Sequence, residues 1–351
     1  MTPRELLLEG ALSAEQLRRT GAFLLQHQDP SGAIPWWRGG QLDPWDHVEA
    51  AMGLAVLGHA DAAAAAYRWS ARTQAPDGSW PMEQRDGAVT EAASDTNQCA
   101  YLATGLWHHH LVTGSSTLLR ELWPTVERAI NFVLRQQLPG GEIAWAVSAD
   151  RRPDTFALRT GSASTLHSIV CALEIAAHLG HVRPQWERAA TRLHAALVER
   201  PESFADRSRY SMDWYYPVLG GALRSDAGLA LLAEQWDAFV WPGQGVRCVS
   251  DRPWVTAAES SELVMTLDAV GRTDDAVRVL RDIQQMRDET TGGYWTGYVV
   301  DDDAVWPEEQ TTWTAAAVVL AVDAVTGTTG GSGIFRDYAW VEDDRADDAA
   351  S

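Results

Sequence analysis

The sequence predicts an all-α fold: a single α/α toroid, six inner helices closed into an (α/α)6 barrel and six outer helices around them. Three observations carry this expectation. One turn recurs along the chain: a helix-like segment runs into a Gln, a short polar turn, one or two Gly, and then a Trp. The copies run from Gln28 through Gly32 to Trp36, from Gln74 through Gly78 to Trp80, from Gln137 through Gly141 to Trp145, and from Gln285 through Gly292 to Trp295. The intervals imply a unit of about 50 residues, with two degenerate copies inside the long last interval, which is the signature of a repeat architecture. The second observation is that segments with helical spacing of apolar residues form six pairs. The third is that the two members of each pair differ in character, one charged and amphipathic, the other apolar all round.

In chain order the segments begin near Ser13, His47, Asp61, Asp95, Ser116, Gly161, Arg183, Asp213, Asp226, Thr256, Asp274 and Glu309. Ser13 with Gln16 three residues on has the form of a capping box, and Pro184 fits a first helical turn. The segments from Ser13, Asp61, Ser116, Arg183 and Asp274 carry charged stripes and belong outside. Those such as Glu49 to Leu57, Gly161 to Leu179 and Thr311 to Val325 are rich in Ala, Leu and Val and belong inside. No alternating run of β-branched residues predicts a strand.

Residues 1–12 read as an N-terminal extension, 13–326 as the barrel, and 327–351 as a Gly/Thr-rich and then acidic tail expected to be disordered. The net charge of −20 and pI near 4.8 argue against nucleic acid, whose phosphates need a basic surface. No apolar run approaches the length of a transmembrane segment, and the first residues lack the layout of a signal peptide. Cys99, Cys171 and Cys248 are far apart and odd in number, which predicts reduced thiols and a cytoplasmic protein.

The chemistry is expected at the barrel end that gathers the inner-helix N-termini. The turns that feed this end hold Trp36, Trp37, Trp45, Trp80, Trp145, Trp254, Trp295 and Trp306, out of 17 Trp in the chain. The first turns of the inner helices add Asp46, His47, Glu49, Asp95, Asn97, His167, Asp213, Tyr215, Tyr216, Glu259, Glu262, Glu309 and Trp313. Aromatic faces stabilise developing carbocations and also stack on the apolar faces of sugar rings. Carboxylates suit either protonation of an alkene or acid/base work at a glycosidic centre. Two plainer readings stand beside these. A Trp after Gly fits rim packing at Trp80, Trp145 and Trp295, and an Asp at a helix start fits an N-cap at Asp95 and Asp213. Glu262 lies one turn inside its helix, where capping does not account for it, and a carboxylate there needs a partner or a solvated cavity. The acid/base candidates are therefore Asp95 and Glu262, helped by Asp46 and Glu49.

The recurring Gln, Gly and Trp turns resemble the repeat of squalene–hopene cyclases, the related class II terpene cyclases and the β subunits of protein prenyltransferases. Glu309-Gln310-Thr311-Thr312-Trp313 resembles the start of that family's closing inner helix, and Ser94-Asp95-Thr96 the helix start that carries its Asp-x-Asp-Asp-Thr motif. The resemblance implies a terpene-cyclase-like enzyme acting on a prenyl or terpenoid substrate. The position of that family's proton donor is here Ser94, so the acid must come from another carboxylate. The zinc-binding Asp-x-Cys pair of the prenyltransferases is absent, so no metal and no cofactor are expected, apart from Mg²⁺ should the substrate be a diphosphate. The mouth carboxylates support an alternative, a carbohydrate-active enzyme with a carboxylate pair. A third reading is a barrel that binds a ligand without catalysis. In each, the partner is a small molecule.

Overall fold

The computed structural model describes residues 6–340. Its helices are α1 (Ala14–His27), α2 (Pro44–Val56), α3 (Ala60–Thr73), α4 (Thr96–Ala100), α5 (Leu102–Thr113), α6 (Thr117–Leu134), α7 (Arg159–His178), α8 (Pro184–Glu199), α9 (Ser211–Leu219), α10 (Ser225–Glu234), α11 (Trp236–Phe239), α12 (Ala257–Ala269), α13 (Thr273–Asp282) and α14 (Thr312–Thr326). Helices α2, α5, α7, α9, α12 and α14 pack in succession, and α14 packs back on α2, which closes the inner ring. Helices α1, α3, α6, α8, α10 and α13 lie outside it. The ring is sealed where Thr312, at the start of α14, donates its N–H to Trp36 O at 2.9 Å and its hydroxyl to Pro35 O at 2.8 Å.

The burial pattern follows the sequence. Residues 257–268 of α12 and Ala315–Ala324 of α14 are buried without a break, as all-round apolar helices must be. On α1 the buried residues form one stripe, and the Ser13–Gln16 capping box forms as expected.

The repeated turn is a fastener between outer helices. Gln28 Nε2 donates to Gly32 O within its own turn and to Ala62 O on α3, at 3.1 and 2.9 Å. Gln74 does the same to Gly78 O and to Thr125 O on α6, and Gln137 to Gly141 O and to Ala189 O on α8. Each turn thereby binds the helix that follows it around the ring. Its glycine sits at positive φ against that helix: a Cβ on Gly78 (φ +99°) would lie 2.2 Å from Arg128 O. In the fourth copy this place belongs to Arg287 and not to Gln285. Arg287 pairs with Tyr294 as Gln137 pairs with Ile143, and its guanidinium donates to Gln16 O on α1.

Short strands lie among the loops, where the sequence predicts none. They are β1 (Gln41–Leu42), β2 (Glu83–Arg85), β3 (Ala88–Glu91), β4 (Ser94–Asp95), β5 (Ala146–Val147), β6 (Val240–Trp241), β7 (Gly245–Arg247), β8 (Trp254–Thr256), β9 (Gly297–Val299) and β10 (Ala304–Val305). They form antiparallel sheets in the orders β1-β2-β3, β4-β5 and β10-β9-β8-β7-β6. Runs of two to four residues are too short to show alternation. They brace the loops at the mouth end.

The stretch after Gly327 is not a free tail as far as residue 340. Ile334 and Phe335 are buried, Phe335 stacks on His167, and Arg336 pairs with Asp268 at 2.8 Å. This segment closes the end opposite the mouth. The expected disorder of residues 341–351 lies outside the described residues.

Candidate active site

A cavity of about 410 Å³ opens among the inner-helix N-termini. Helix α2 contributes Trp45 and Asp46, its cap Asp43 adds a second carboxylate, and Trp36 comes from the loop before. Opposite them stand Asp95, Asn97 and Gln98 at the start of α4, Thr160 on α7, Met212 and Tyr216 on α9, Glu262 on α12 and Trp313 on α14. Gln41, Met82, Glu83 and Glu91 complete the rim from the β1-β2-β3 region. Eight residues singled out from the sequence meet in this one space: Trp36, Trp45, Asp46, Asp95, Asn97, Tyr216, Glu262 and Trp313.

The first carboxylate pair stands at the start of α2. Asp43 caps the helix, with Oδ1 accepting the Asp46 backbone N–H at 2.9 Å and Oδ2 the Trp36 indole N–H at 3.0 Å. Burial, then the Asp43 carboxylate, then Glu49 push the Asp46 carboxyl well above the usual carboxylate range. Asp46 is thus a proton-bearing acid facing the cavity.

Glu262 has different partners. The Tyr215 hydroxyl donates to Oε2 and the Tyr216 hydroxyl to Oε1. Burial and then Glu49 push the Glu262 carboxyl well above the usual carboxylate range, against the pull of the two tyrosine hydroxyls toward the anion. The two carboxyls of the cavity therefore differ in their partners, while burial raises both.

Asp95 lines the cavity, yet both its oxygens are committed. Oδ1 accepts Gln98 N–H at 3.1 Å as the cap of α4, and Oδ2 accepts the Trp145 indole N–H at 2.7 Å. Burial still lifts it to about 6. The capping reading therefore holds for Asp95, and Trp145 is its support, not a cavity wall. Glu49 is buried below the site, accepts the Tyr101 hydroxyl at 3.1 Å, and is raised by burial to about 7. Trp45 lies flat on Tyr101, with ring centroids 3.5 Å apart. Asn97 Oδ1, Gln98 Oε1 and Trp313 Nε1 are buried and have no partner within the protein.

Several candidates lie elsewhere. His47 is a core residue: Nδ1 accepts Ile34 N–H and Nε2 meets Ala66 O, and burial lowers it to about 4. His167 is likewise buried, against Ile334 O and Phe335. Trp80 is buried and donates to Ser70 O at 2.9 Å, so it packs the rim. Trp295 packs against the core. Trp37 stands edge-on to Trp36 and does not reach the cavity. Glu309 is held by Thr296, Asp213 accepts from Thr160, and Glu259 faces the Cys248 thiol. Tyr215 acts through Glu262. Trp254 and Trp306 line a second, apolar groove. Asp43 and Tyr101 lie outside the sequence-based candidates. The signal for Asp43 was present, since Asp43-Pro44 is a cap followed by Pro at the first helical position, three residues before the expected start at His47.

No family model matches the chain. It is 53% identical over 327 residues, 93% of this chain and 90% of the other, to the MMP endo-(1,4)-3-O-methyl-alpha-D-mannosidase of Mycolicibacterium hassiacum. The chain belongs to this mannosidase family.

Solved structures share the fold at low identity. A wild-type glycosidase matches with a TM-score of 0.70 at 16% identity, over 90% of this chain and 97% of its own. A GH63 mannosylglycerate hydrolase from Thermus thermophilus gives 0.69 at 14%, over 86% and 99%. A D-mannose isomerase gives 0.66 at 12%, over 90% and 97%. Membership in the mannosidase family overturns the terpene-cyclase and prenyltransferase resemblance. That resemblance rested on the outer-helix fastener, which reports a toroid and no chemistry, and on two short helix starts, Ser94-Asp95-Thr96 and Glu309 to Trp313. The chain is an enzyme, a glycoside hydrolase, and a carbohydrate is its substrate class. With the terpenoid reading falls the reason for a diphosphate and its Mg²⁺. Among the described residues no helix is long and apolar enough to cross a membrane.

Proposed function

We propose that this enzyme cleaves internal (1,4)-linkages in chains of 3-O-methyl-α-mannose, with Asp46 as general acid and Glu262 as general base. The observation that carries this reading is the pair of carboxyl groups with different partners in one cavity: Asp46 beside the Asp43 carboxylate, and Glu262 between two tyrosine hydroxyls that favour its anion. Asp46 gives its proton to the glycosidic oxygen as the bond to the anomeric carbon breaks. Glu262 takes a proton from the water that attacks this carbon. In this reading the water attacks directly, with inversion at the anomeric carbon. Trp36, Trp45 and Trp313 provide faces for sugar rings, and Asn97 and Gln98 form part of the polar wall. The cavity volume lies within the range of small-molecule sites, about 300–1,000 Å³.

The mechanism needs no metal, and activity is expected to survive a chelator. The thiols of Cys99, Cys171 and Cys248 are unpaired, which supports a cytoplasmic setting. The decisive experiment follows hydrolysis of a 3-O-methylmannose oligosaccharide by NMR. Internal cleavage with a β-configured reducing end as the first product supports the reading. An α-configured first product, or release of single sugars from one end, overturns the mechanism or the endo assignment respectively.

A further inference from the structure

A second groove lies among the mouth loops. It measures about 420 Å³ and is built by Tyr210, Val249, Pro253, Trp254, Val299 and Trp306. Tyr210 and Trp306 are 39% and 57% exposed, an uncommon position for large aromatic side chains unless they meet a partner. Exposed apolar groups recur around this end of the barrel: Val89 and Phe156, also exposed, stand in other mouth loops.

The groove is continuous with the catalytic elements. Tyr210 immediately precedes α9, which carries Met212 and Tyr216 into the catalytic cavity, and Trp254 opens the strand that leads into α12 and Glu262. It is also preformed. Tyr210 pairs with Val249 in an antiparallel bridge, and β8 and β9 form its floor. Trp254 and Trp306 meet edge to face with centroids 5.1 Å apart.

Its polar groups are already committed, apart from the exposed Arg252 that also lines it. The Trp254 indole N–H donates to Trp306 O at 2.7 Å, Arg209 is paired with Asp251 at 2.9 Å, and the Cys248 thiol faces Glu259. A groove of this kind cannot reward a sugar for its hydroxyls, because few donors or acceptors are left to meet them. It can reward an apolar sugar surface. Methylation at O3 replaces a hydroxyl donor by a methyl group and widens the apolar face of a mannose ring.

We propose that this groove binds 3-O-methyl-mannose units of the substrate chain beyond those in the catalytic cavity, and that it selects methylated over unmethylated chains. The inference rests on the function proposed above. A long chain seated in the cavity continues over the rim, past α9 and α12, onto Trp306 and Tyr210. The methyl ethers lie on the aromatic rings, and the hydroxyls of these units face water.

The test is Trp306→Ala, a change at a mostly exposed side chain that leaves the backbone acceptor of Trp254 in place, with Trp306→Phe as the conservative partner. Steady-state kinetics are measured on a length series of 3-O-methylmannose oligosaccharides and on unmethylated (1,4)-α-mannose oligosaccharides of equal length. For long methylated chains the Ala variant is expected to raise KM about three- to tenfold at unchanged kcat, the scale of one lost aromatic contact. Oligosaccharides too short to leave the cavity are expected to show no change, and Trp306→Phe to restore most of the loss. Equal KM for wild type and Trp306→Ala on long methylated chains overturns the proposal, and so does an equal rise on unmethylated chains. If the wild type cleaves neither series, it is the proposed function that fails; that result is distinct from a groove variant behaving like an active wild type.

Discussion

Asp43 caps the helix that carries Asp46, and the two carboxyl groups share the cavity at its first turn. Asp43 accepts two N–H bonds, and Asp46, buried beside it, keeps its proton. Replacement of Asp46 by Asn is therefore expected to lower kcat on oligosaccharides by about 10²–10⁴, the usual contribution of a general acid. Much of the rate should return on a 3-O-methylmannosyl fluoride, whose leaving group needs no proton. A fluoride substrate slowed as much as the oligosaccharide would remove Asp46 from the acid role. Asp43→Asn keeps the capping oxygen and deletes a negative neighbour, so the Asp46 proton comes off at lower pH. An acid works only while protonated, so the alkaline limb of kcat/KM should move to lower pH in this variant.

Glu262→Gln should abolish turnover to a similar extent, because Gln cannot take the water's proton. Tyr216→Phe deletes one of the two donors that favour the Glu262 anion, so its proton affinity rises. A base works only when deprotonated, so the acidic limb of kcat/KM should move to higher pH. An unmoved acidic limb in an otherwise folded Tyr216→Phe enzyme would assign the base elsewhere. Asp95→Asn, by contrast, retains the cap and should cost less than either catalytic change.

Glu49 links pH to stability. Burial raises it from 4.5 to about 7 in the fold. A carboxyl raised by folding contributes most below its unfolded value, and that contribution is lost as pH rises through the folded one. From pH 4.5 to about 7 the wild type should therefore lose stability relative to Glu49→Gln, by on the order of 3 kcal/mol if the full shift is realised. Chemical denaturation of both proteins at several pH values measures this difference directly. Parallel curves would mean that Glu49 titrates normally.

The fastener turns make a prediction about folding alone. A methyl group on Gly78 meets the Arg128 carbonyl at 2.2 Å, and the backbone there is left-handed. Gly78→Ala should cost roughly 2 kcal/mol or more, as strain and overpacking add. Thermal melts should show a clear drop in Tm, while the folded fraction keeps its KM, since Gly78 lies outside the cavity. Gly58 also has positive φ but nothing within 4 Å, so Gly58→Ala carries backbone strain without the clash and should cost less.

Much of the fold can be read from residue order alone. Each of the twelve expected helix starts falls within three residues of an observed one, from Ser13 before Ala14 to Glu309 before Thr312. Local rules suffice there, because capping residues and the contrast between charged stripes and all-apolar segments act within one helix. The position of the cavity at the mouth follows from the same register, and so does the gathering of Trp36, Asp46, Asp95, Asn97, Glu262 and Trp313 around it. The tertiary structure alone decided which of the polar residues in those first turns face the cavity. His47 and Glu49 flank the same turn as Asp46, yet His47 turns to the carbonyl of Ala66 and Glu49 to Tyr101. Glu262, an acid/base candidate from the sequence, meets two tyrosine hydroxyls only because α9 brings them onto it, and both oxygens of Asp95 are taken up once the Trp145 indole reaches it. Such partners come from distant segments, and their effect on a proton depends on a few ångströms of packing that no spacing in the sequence records.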